Sequence, residues 1–436
     1  MRIDYAVKGN IIFTKVFGEY EVIRNGYIVV QGNLVKGVYK KLNEEFSDLK
    51  VIDYGNAMII PGFVDIHLHA SQFANLGLGL DKELMPWLEE YTFPEEAKYV
   101  DISYAKKVYS SLIRELWKFG TTRSCVFATI HKESTKLLMD MFARAGLSAY
   151  VGKVNMDRNS PQDLTETAVD SIRDTEEILK EYTNKYELVK PIVTPRFVPS
   201  CSFDLLKNLG ILAKKYNAPI QSHLSENYGE ISFVKELHPN CKNYTSVYNE
   251  VGLLGDVPTI MAHCVLVDAD EIELLARKKV FIAHCPSSNC NLASGNAPIR
   301  KLLEKGVKVG LASDISAGNS LSMMDIIVNA AQVSNIKWIE SGRVDKPLNL
   351  SELFYLATKG GGEFFGKVGS FEEGYEFDAL VIDDSSMLTF RTFSIEERFQ
   401  RFIYTGDDRN IKVRYVAGRE IEEPECFFKK SYKRER

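Results

Sequence analysis

No apolar stretch of this sequence approaches the ~18 uninterrupted residues of a membrane span, so no membrane partner is expected. The opening residues, MRIDYAVKGNIIF, also lack the apolar core and small-residue cleavage site of a secretion signal. Cysteine is sparse: there are seven, an odd number without pair-like spacing. That argues against a disulfide framework and for reduced thiols in the cytoplasm. Positive charge is not in excess, since 54 Lys and Arg face 59 Asp and Glu for a net charge of −5. Such a chain presents no field for phosphate backbones, and nucleic acid is not an expected partner. Internal repeats and low-complexity tracts are missing too. The one basic run, 429–436, reads as a frayed tail rather than a nucleic-acid arm.

The 436 residues are too many for one small core and too few for three independent domains. An apolar share of 45% and a charged share of 26% are ordinary for a globular protein. Near the N-terminus, 11–16, 20–24, 27–31 and 51–54 are β-rich and separated by turn residues, with a polar segment at 40–49. The C-terminal part has the same texture at 378–382, 402–404 and 413–419. The two ends are therefore expected to pair into one small β-domain, with parts 1–58 and 371–436.

Between them, across 59–370, strand and helix patterns alternate. The strand candidates are 58–69, 121–128, 148–155, 190–197, 219–224, 259–266, 281–285 and 308–313. A helix at 104–119 places Ala105, Val108, Leu112 and Leu116 on one face and stops at Gly120. Ser160-Pro161 is expected to open another helix, and Asp268 to cap a third at 270–279. Eight βα units with near-continuous apolar strands predict an α/β fold, a (β/α)8 TIM-type barrel. An open doubly wound sheet is the runner-up. It needs a Gly-rich loop after its first strand, where His67 and His69 stand instead.

Only seven His are present, and five of them (67, 69, 223, 263 and 284) fall at or near strand ends, which form one rim in a barrel. His67 and His69 are two apart on a strand, so their rings share a face, a chelating arrangement for a borderline metal such as zinc. His223 ends the fifth strand, His263 the sixth, and Asp314 the eighth. Any one alone is more readily a hydrogen-bonded structural residue; three at equivalent positions beside the His pair point to a metal centre. His284 reads as structural, His131 and His238 as surface residues. Cys264, Cys285 and Cys290 read as small buried residues.

The run Pro61-Gly-Phe-Val-Asp-Ile-His-Leu-His69, the strand-five and strand-six His, and the strand-eight Asp resemble the amidohydrolase superfamily along almost the whole chain. The resemblance implies one divalent metal, zinc first and Fe2+ second, on His67, His69, His223 and Asp314, with His263 close by as a further ligand. It implies the mononuclear branch, because the fourth strand ends in Thr194-Pro-Arg196-Phe197 and offers no bridging Lys. A narrower resemblance is to the guanine deaminases within that superfamily. It is carried by His69-Ala-Ser-Gln72-Phe73, Trp87-Leu-Glu-Glu-Tyr91-Thr-Phe-Pro-Glu95, Pro195-Arg196-Phe197-Val-Pro199, His223-Leu-Ser-Glu226 and His284-Cys-Pro-Ser-Ser-Asn289. Ser71 departs from the Pro of many relatives.

What this narrower resemblance implies is a cytoplasmic homodimer that converts guanine to xanthine and ammonia. Gln72, Arg196 and Phe197 would contact the purine, as would His69, His223, Glu226 and Asp314. Arg196 suits a carbonyl oxygen, Phe197 a stacked ring, and Gln72 a mixed donor and acceptor edge. The expected catalytic groups are Asp314 accepting the water's proton, Glu226 shuttling protons, and His263 orienting the water. The other zinc deaminase pattern, His-x-Glu with Pro-Cys-x-x-Cys, is absent. Competing readings are an aminohydrolase acting on another purine, pterin or triazine ring, and a scaffold without catalysis. Residues 87–93 could line the pocket or form a lid, or Thr92 and Glu95 could simply make a capping box.

Overall fold

The computed structural model describes residues 4–427. The basic run 429–436 lies outside the described residues. Both chain ends build one seven-stranded sheet, ordered Arg419–Glu420, Ile411–Val416, Ala379–Ile382, Lys50–Pro61, Tyr5–Thr14, Tyr20–Gln31 and Leu34–Tyr39. Only Tyr5–Thr14 against Lys50–Pro61 is a parallel pair. Tyr5, Val7, Ile11, Phe371, Phe377 and Tyr415 form its buried apolar layer.

Several expected boundaries shift. The β-rich pieces 20–24 and 27–31 are one strand. Asn25, at φ 47°, kinks it without reversing it, and its N–H donates to Asn10 Oδ1. The strand Leu34–Tyr39 was not anticipated. Residues 58–69 are two elements, because at Gly62 the backbone changes partners. Gly62 N–H donates to Asp378 O, while Phe63 N–H already donates to Gly120 O. A side chain at Gly62 would collide with Thr122 at 2.4 Å. Residues 402–404 are helical, part of Ile395–Thr405, which Ser394 and Glu397 cap reciprocally. Ile395, Phe399, Phe402 and Ile403 are its buried stripe.

The barrel strands are Phe63–His69, Thr121–Phe127, Ser148–Gly152, Val189–Pro191, Ile220–Leu224, Thr259–His263, Phe281–His284 and Lys308–Leu311. The third and fourth carry short extensions, Val154–Asn155 and Thr194–Pro195. Parallel pairing runs through two four-stranded sets. A bridge from Val193 to Ile220 joins the sets at one seam. At the other, Asp314 N–H donates to His67 O (2.9 Å) and His69 N–H to Ile315 O (3.0 Å). Every residue of the first two barrel strands is buried, as strands covered on both faces must be.

Several of the longer helices start on a side-chain cap. Ile102–Lys118 is capped by Asp101, and Ala269–Arg277 by Asp268 with Glu271 returning the bond. Ser160 caps nothing. Pro161 opens a single 3-10 turn, and the helix Ala168–Tyr182 starts later, on Thr167. Among the described residues, no helix is long and apolar enough to cross a membrane.

Candidate metal centre and its pocket

The strand-end polar residues converge at the C-terminal rim of the barrel. His69 Nε2 lies 3.1 Å from His223 Nε2 and 3.6 Å from Asp314 Oδ1, and His67 Nε2 lies 3.2 Å from Asp314 Oδ1. A tetrahedral ion with bonds of about 2.0–2.2 Å keeps its ligand atoms roughly 3.3–3.6 Å apart. These three pairs therefore have the spacing of neighbouring ligand atoms, and His67 is shared by two clusters of metal-binding size, one with His69 and His223 and one with His263, Cys285 and Asp314. His67 is wholly buried, and neither of its ring nitrogens has a hydrogen-bond partner. An imidazole so placed is costly unless something else meets it, and a divalent ion fits that need.

The surroundings hold these candidate ligands in a form able to bind a metal. His223 Nδ1–H donates to Arg196 O at 2.6 Å, which leaves Nε2 as a bare lone pair facing the centre. Burial first, then neighbouring His rings, hold His69 and His223 well below the usual histidine range and so neutral. Burial opposes ionisation of Asp314, but His67 and His263 outweigh it and keep the carboxyl below its ordinary value. The Phe127 ring sits 4.7–4.9 Å from the rings of His67, His69 and His223 and limits their rotation. Asp65, in the same strand as the first two His, accepts from Ser313 N–H and Oγ–H and ties strand one to strand eight.

His263 stands slightly apart, with Nε2 3.4 Å from Glu226 Oε2 and 3.8 Å from Asp314 Oδ2. Its Nδ1–H donates to Asn289 Oδ1 at 2.9 Å. Glu226 follows the fifth strand, where Ser225 takes φ 50°. Glu230 accepts from the Glu226 and Asn227 N–H groups and, through Oε1, from Tyr244 OH, which fixes that turn. Burial, Asp314 and Glu230 together push the Glu226 carboxyl well above the usual range. His263 (φ 72°) and Asp314 (φ 47°) both occupy the left-handed region, a strain of about 1–3 kcal/mol each for non-Gly residues. Gly318 makes the turn after Asp314 feasible: its N–H donates to Asp314 O, and any side chain there would meet Ser313 O at 1.9 Å.

The centre opens into a narrow cavity at the barrel rim. Gln72, Arg196, Phe197, Glu226, His263 and Asp314 all line it, as do His69 and His223, so the expected purine-contacting residues share one wall system. Trp87, Leu84 and Leu88 close another side. Thr92 is no helix cap: at φ −75° and ψ −54° it lies within a continuous helical stretch, and of the run 87–93 Trp87 and Leu88 line the cavity. Sequence reading missed Glu96, which accepts from Gln72 Nε2 at 3.0 Å and from Arg196 Nη1 at 2.5 Å. Asn289 was seen only as motif text, and Glu230 not at all.

Outside this cavity, His131 and His238 are half-buried rather than on the surface, and Arg158 Nη2 donates to His238 Nε2. His284 is buried, its basicity lowered by burial and His263 to about 3. Cys264 and Cys285 are buried, but Cys290 is exposed.

A family model described as the amidohydrolase family matches residues 58–421. The guanine deaminase of Dictyostelium discoideum is 40% identical over 442 residues, covering 95% of this chain and 97% of its own. The guanine deaminase of Homo sapiens is 44% identical over 375 residues, covering 83% of this chain and 82% of its own. Among solved structures, the guanine deaminase from C. acetobutylicum with guanine bound in its active site is 53% identical, with a TM-score of 0.95 over 96% of this chain and 100% of that one. With the family match reaching from the last strand before the barrel to near the end of the described residues, the chain belongs to the amidohydrolase family, in the company of the guanine deaminases.

Proposed function

We propose that this chain is an enzyme that hydrolyses guanine to xanthine and ammonia. The observation that carries the reading is the placement of Arg196 and Gln72 on the wall of the same cavity into which His69, His223 and Asp314 point. A planar base entering that cavity meets N–H donors on one side, the Phe197 ring and Trp87 nearby, and the carboxyl of Glu226 beside the centre. His67, His69, His223 and Asp314 would hold one divalent ion, and imidazole with a carboxylate favours zinc, with Fe2+ second. When bound, the ion supplies Lewis acidity that brings the pKa of a water toward neutrality.

The chain's own groups supply the proton traffic. Asp314, held ionised, accepts the proton of the water that adds to guanine C2. Glu226, held protonated by burial, gives a proton to the ring nitrogen beside C2. It then carries Asp314's proton to the departing amine; as ammonia leaves, the remaining proton of the C2 hydroxyl passes to the Glu226 carboxylate and the C2 oxygen becomes the new carbonyl. His263, between Glu226 and Asp314, fixes the water's direction of approach. In this reading it touches the water more closely than the ion.

The test is the loss of guanine absorbance as xanthine forms, run with and without a chelator. We expect turnover that chelation abolishes and added zinc restores; ammonia release from adenosine but not guanine would overturn the assignment. A cytoplasmic homodimer is the form we propose, on the family resemblance and on the odd, unpaired cysteine count. Light scattering at twice 49.4 kDa would support the dimer, and scattering at the single-chain mass would remove it.

A further inference from the structure

One buried carboxylate against the pocket has no role in that mechanism. Glu96 is only 4% exposed, and both of its oxygens are committed to residues that line the cavity. Oε1 accepts from Gln72 Nε2 and Oε2 from Arg196 Nη1. We infer that Glu96 is the positioning residue for base recognition: by holding Gln72 and Arg196 together it sets their remaining N–H donors toward the cavity, and the preference for a ring carbonyl depends on it. The inference rests on the guanine reading above and names the group that makes Arg196 and Gln72 selective.

Three observations converge on this. First, the amide of Gln72 is fixed from both ends, since Ser316 N–H faces its Oε1 at 3.4 Å while its Nε2 donates to Glu96. The second amide hydrogen is left as a donor. Second, the Arg196 guanidinium is confined by Glu96, by the Phe93 ring 5.2 Å away, and by Met156 Sδ at 3.8 Å from Nη1. A guanidinium is a planar fork, so fixing one arm aims the others. Third, the Arg196–Glu96 pair is almost fully buried, at 4% and 5% side-chain exposure. Such pairs add little stability over apolar packing. One placed at a cavity wall is better explained by orientation than by fold stability. The resulting wall presents N–H groups to a substrate edge that must accept, as the C6 oxygen of guanine does and an amino group or hydrogen does not.

The experiment uses the full chain loaded with zinc and compares two ligands of one pocket. Guanine has the C6 oxygen; 2-aminopurine has hydrogen there and is measured as a competitive inhibitor. Glu96→Gln keeps the size of the side chain but has one oxygen for two donors, and its own amide confronts the other. We expect Glu96→Gln to lower kcat/KM for guanine by about 10- to 100-fold and to change the Ki of 2-aminopurine by less than about threefold, at unchanged zinc content. Glu96→Asp, which keeps both acceptor oxygens, should recover part of the guanine loss. Parallel losses for both ligands, or no loss for guanine, would overturn the inference and leave the guanine reading standing. Absence of guanine turnover by the unaltered chain would overturn both. If Glu96→Gln does not accumulate as folded protein, Glu96→Asp is read by the same pair of constants, and equal changes in the two would overturn the role.

Discussion

His263 shows how much of a site can depend on a single hydrogen bond. Its Nδ1 proton is held by Asn289 Oδ1, which decides that Nε2 is the atom facing Glu226 and Asp314. Asn289→Ala is expected to lower kcat/KM by about 10- to 100-fold while bound zinc stays near one per chain, read by steady-state kinetics and metal analysis. Glu226→Gln should likewise leave metal content intact but reduce kcat by about 10²–10⁴-fold; near-normal kcat would remove it as the proton carrier. The convergence of the candidate ligands was legible in the sequence because four His and one Asp fell at equivalent strand ends, which a barrel brings to one rim. Glu96 was not, because its meaning lies in a contact with a residue 100 positions away. Nothing local distinguishes it from its neighbour Glu95.

Elements were legible where one physical signal dominated. The barrel strands announce themselves as apolar runs, and Asp268 marks a helix start that the structure repeats at Ala269, with Glu271 completing the cap. The helix Ile395–Thr405 was misread because three adjacent aromatic and β-branched residues suggest a strand. The spacing of Ile395, Phe399, Phe402 and Ile403 over a longer window is helical. The divided stretch at Gly62 has no composition signal, since both halves are equally apolar and only pairing partners change.

Between elements, Glu176 on Ala168–Tyr182 accepts from Lys215 Nζ and Tyr216 OH on Phe203–Tyr216. Lys215, Tyr216 and Lys180 pull its carboxyl down from 4.5 to about 2. Because the folded value is depressed, its contribution is present above pH ~4.5 and disappears as pH falls toward ~2. The urea midpoint of the unaltered chain should exceed that of Glu176→Gln slightly at pH 6, and the gap should close on acidification. A gap that widens as pH falls would contradict this linkage.

At the scale of the molecule, the barrel and the sheet from the chain ends are joined by a buried ionic contact. Arg123, in the second barrel strand, donates to Asp378 through Nε (2.6 Å) and Nη2 (3.0 Å), and to Glu376 at 2.7 Å. Asp378 Oδ1 also accepts from Ala417 N–H. Removing the cation would strand a buried carboxylate, so Arg123→Ala should cost about 3–5 kcal/mol in urea unfolding. A change below about 1 kcal/mol would show that the two parts do not depend on this contact.

That sheet also sets an order of events during synthesis. Lys50–Pro61 lies between Tyr5–Thr14, made just before it, and Ala379–Ile382, made near the end. Until the later strand leaves the ribosome, residues 58–61 present unpaired N–H and C=O groups along an apolar edge. At ~5–20 residues per second, the edge waits for roughly 15–60 s. A nascent chain of this protein therefore carries an open, adhesive border through most of its own production, and what finally seals it is a segment far from the catalytic rim.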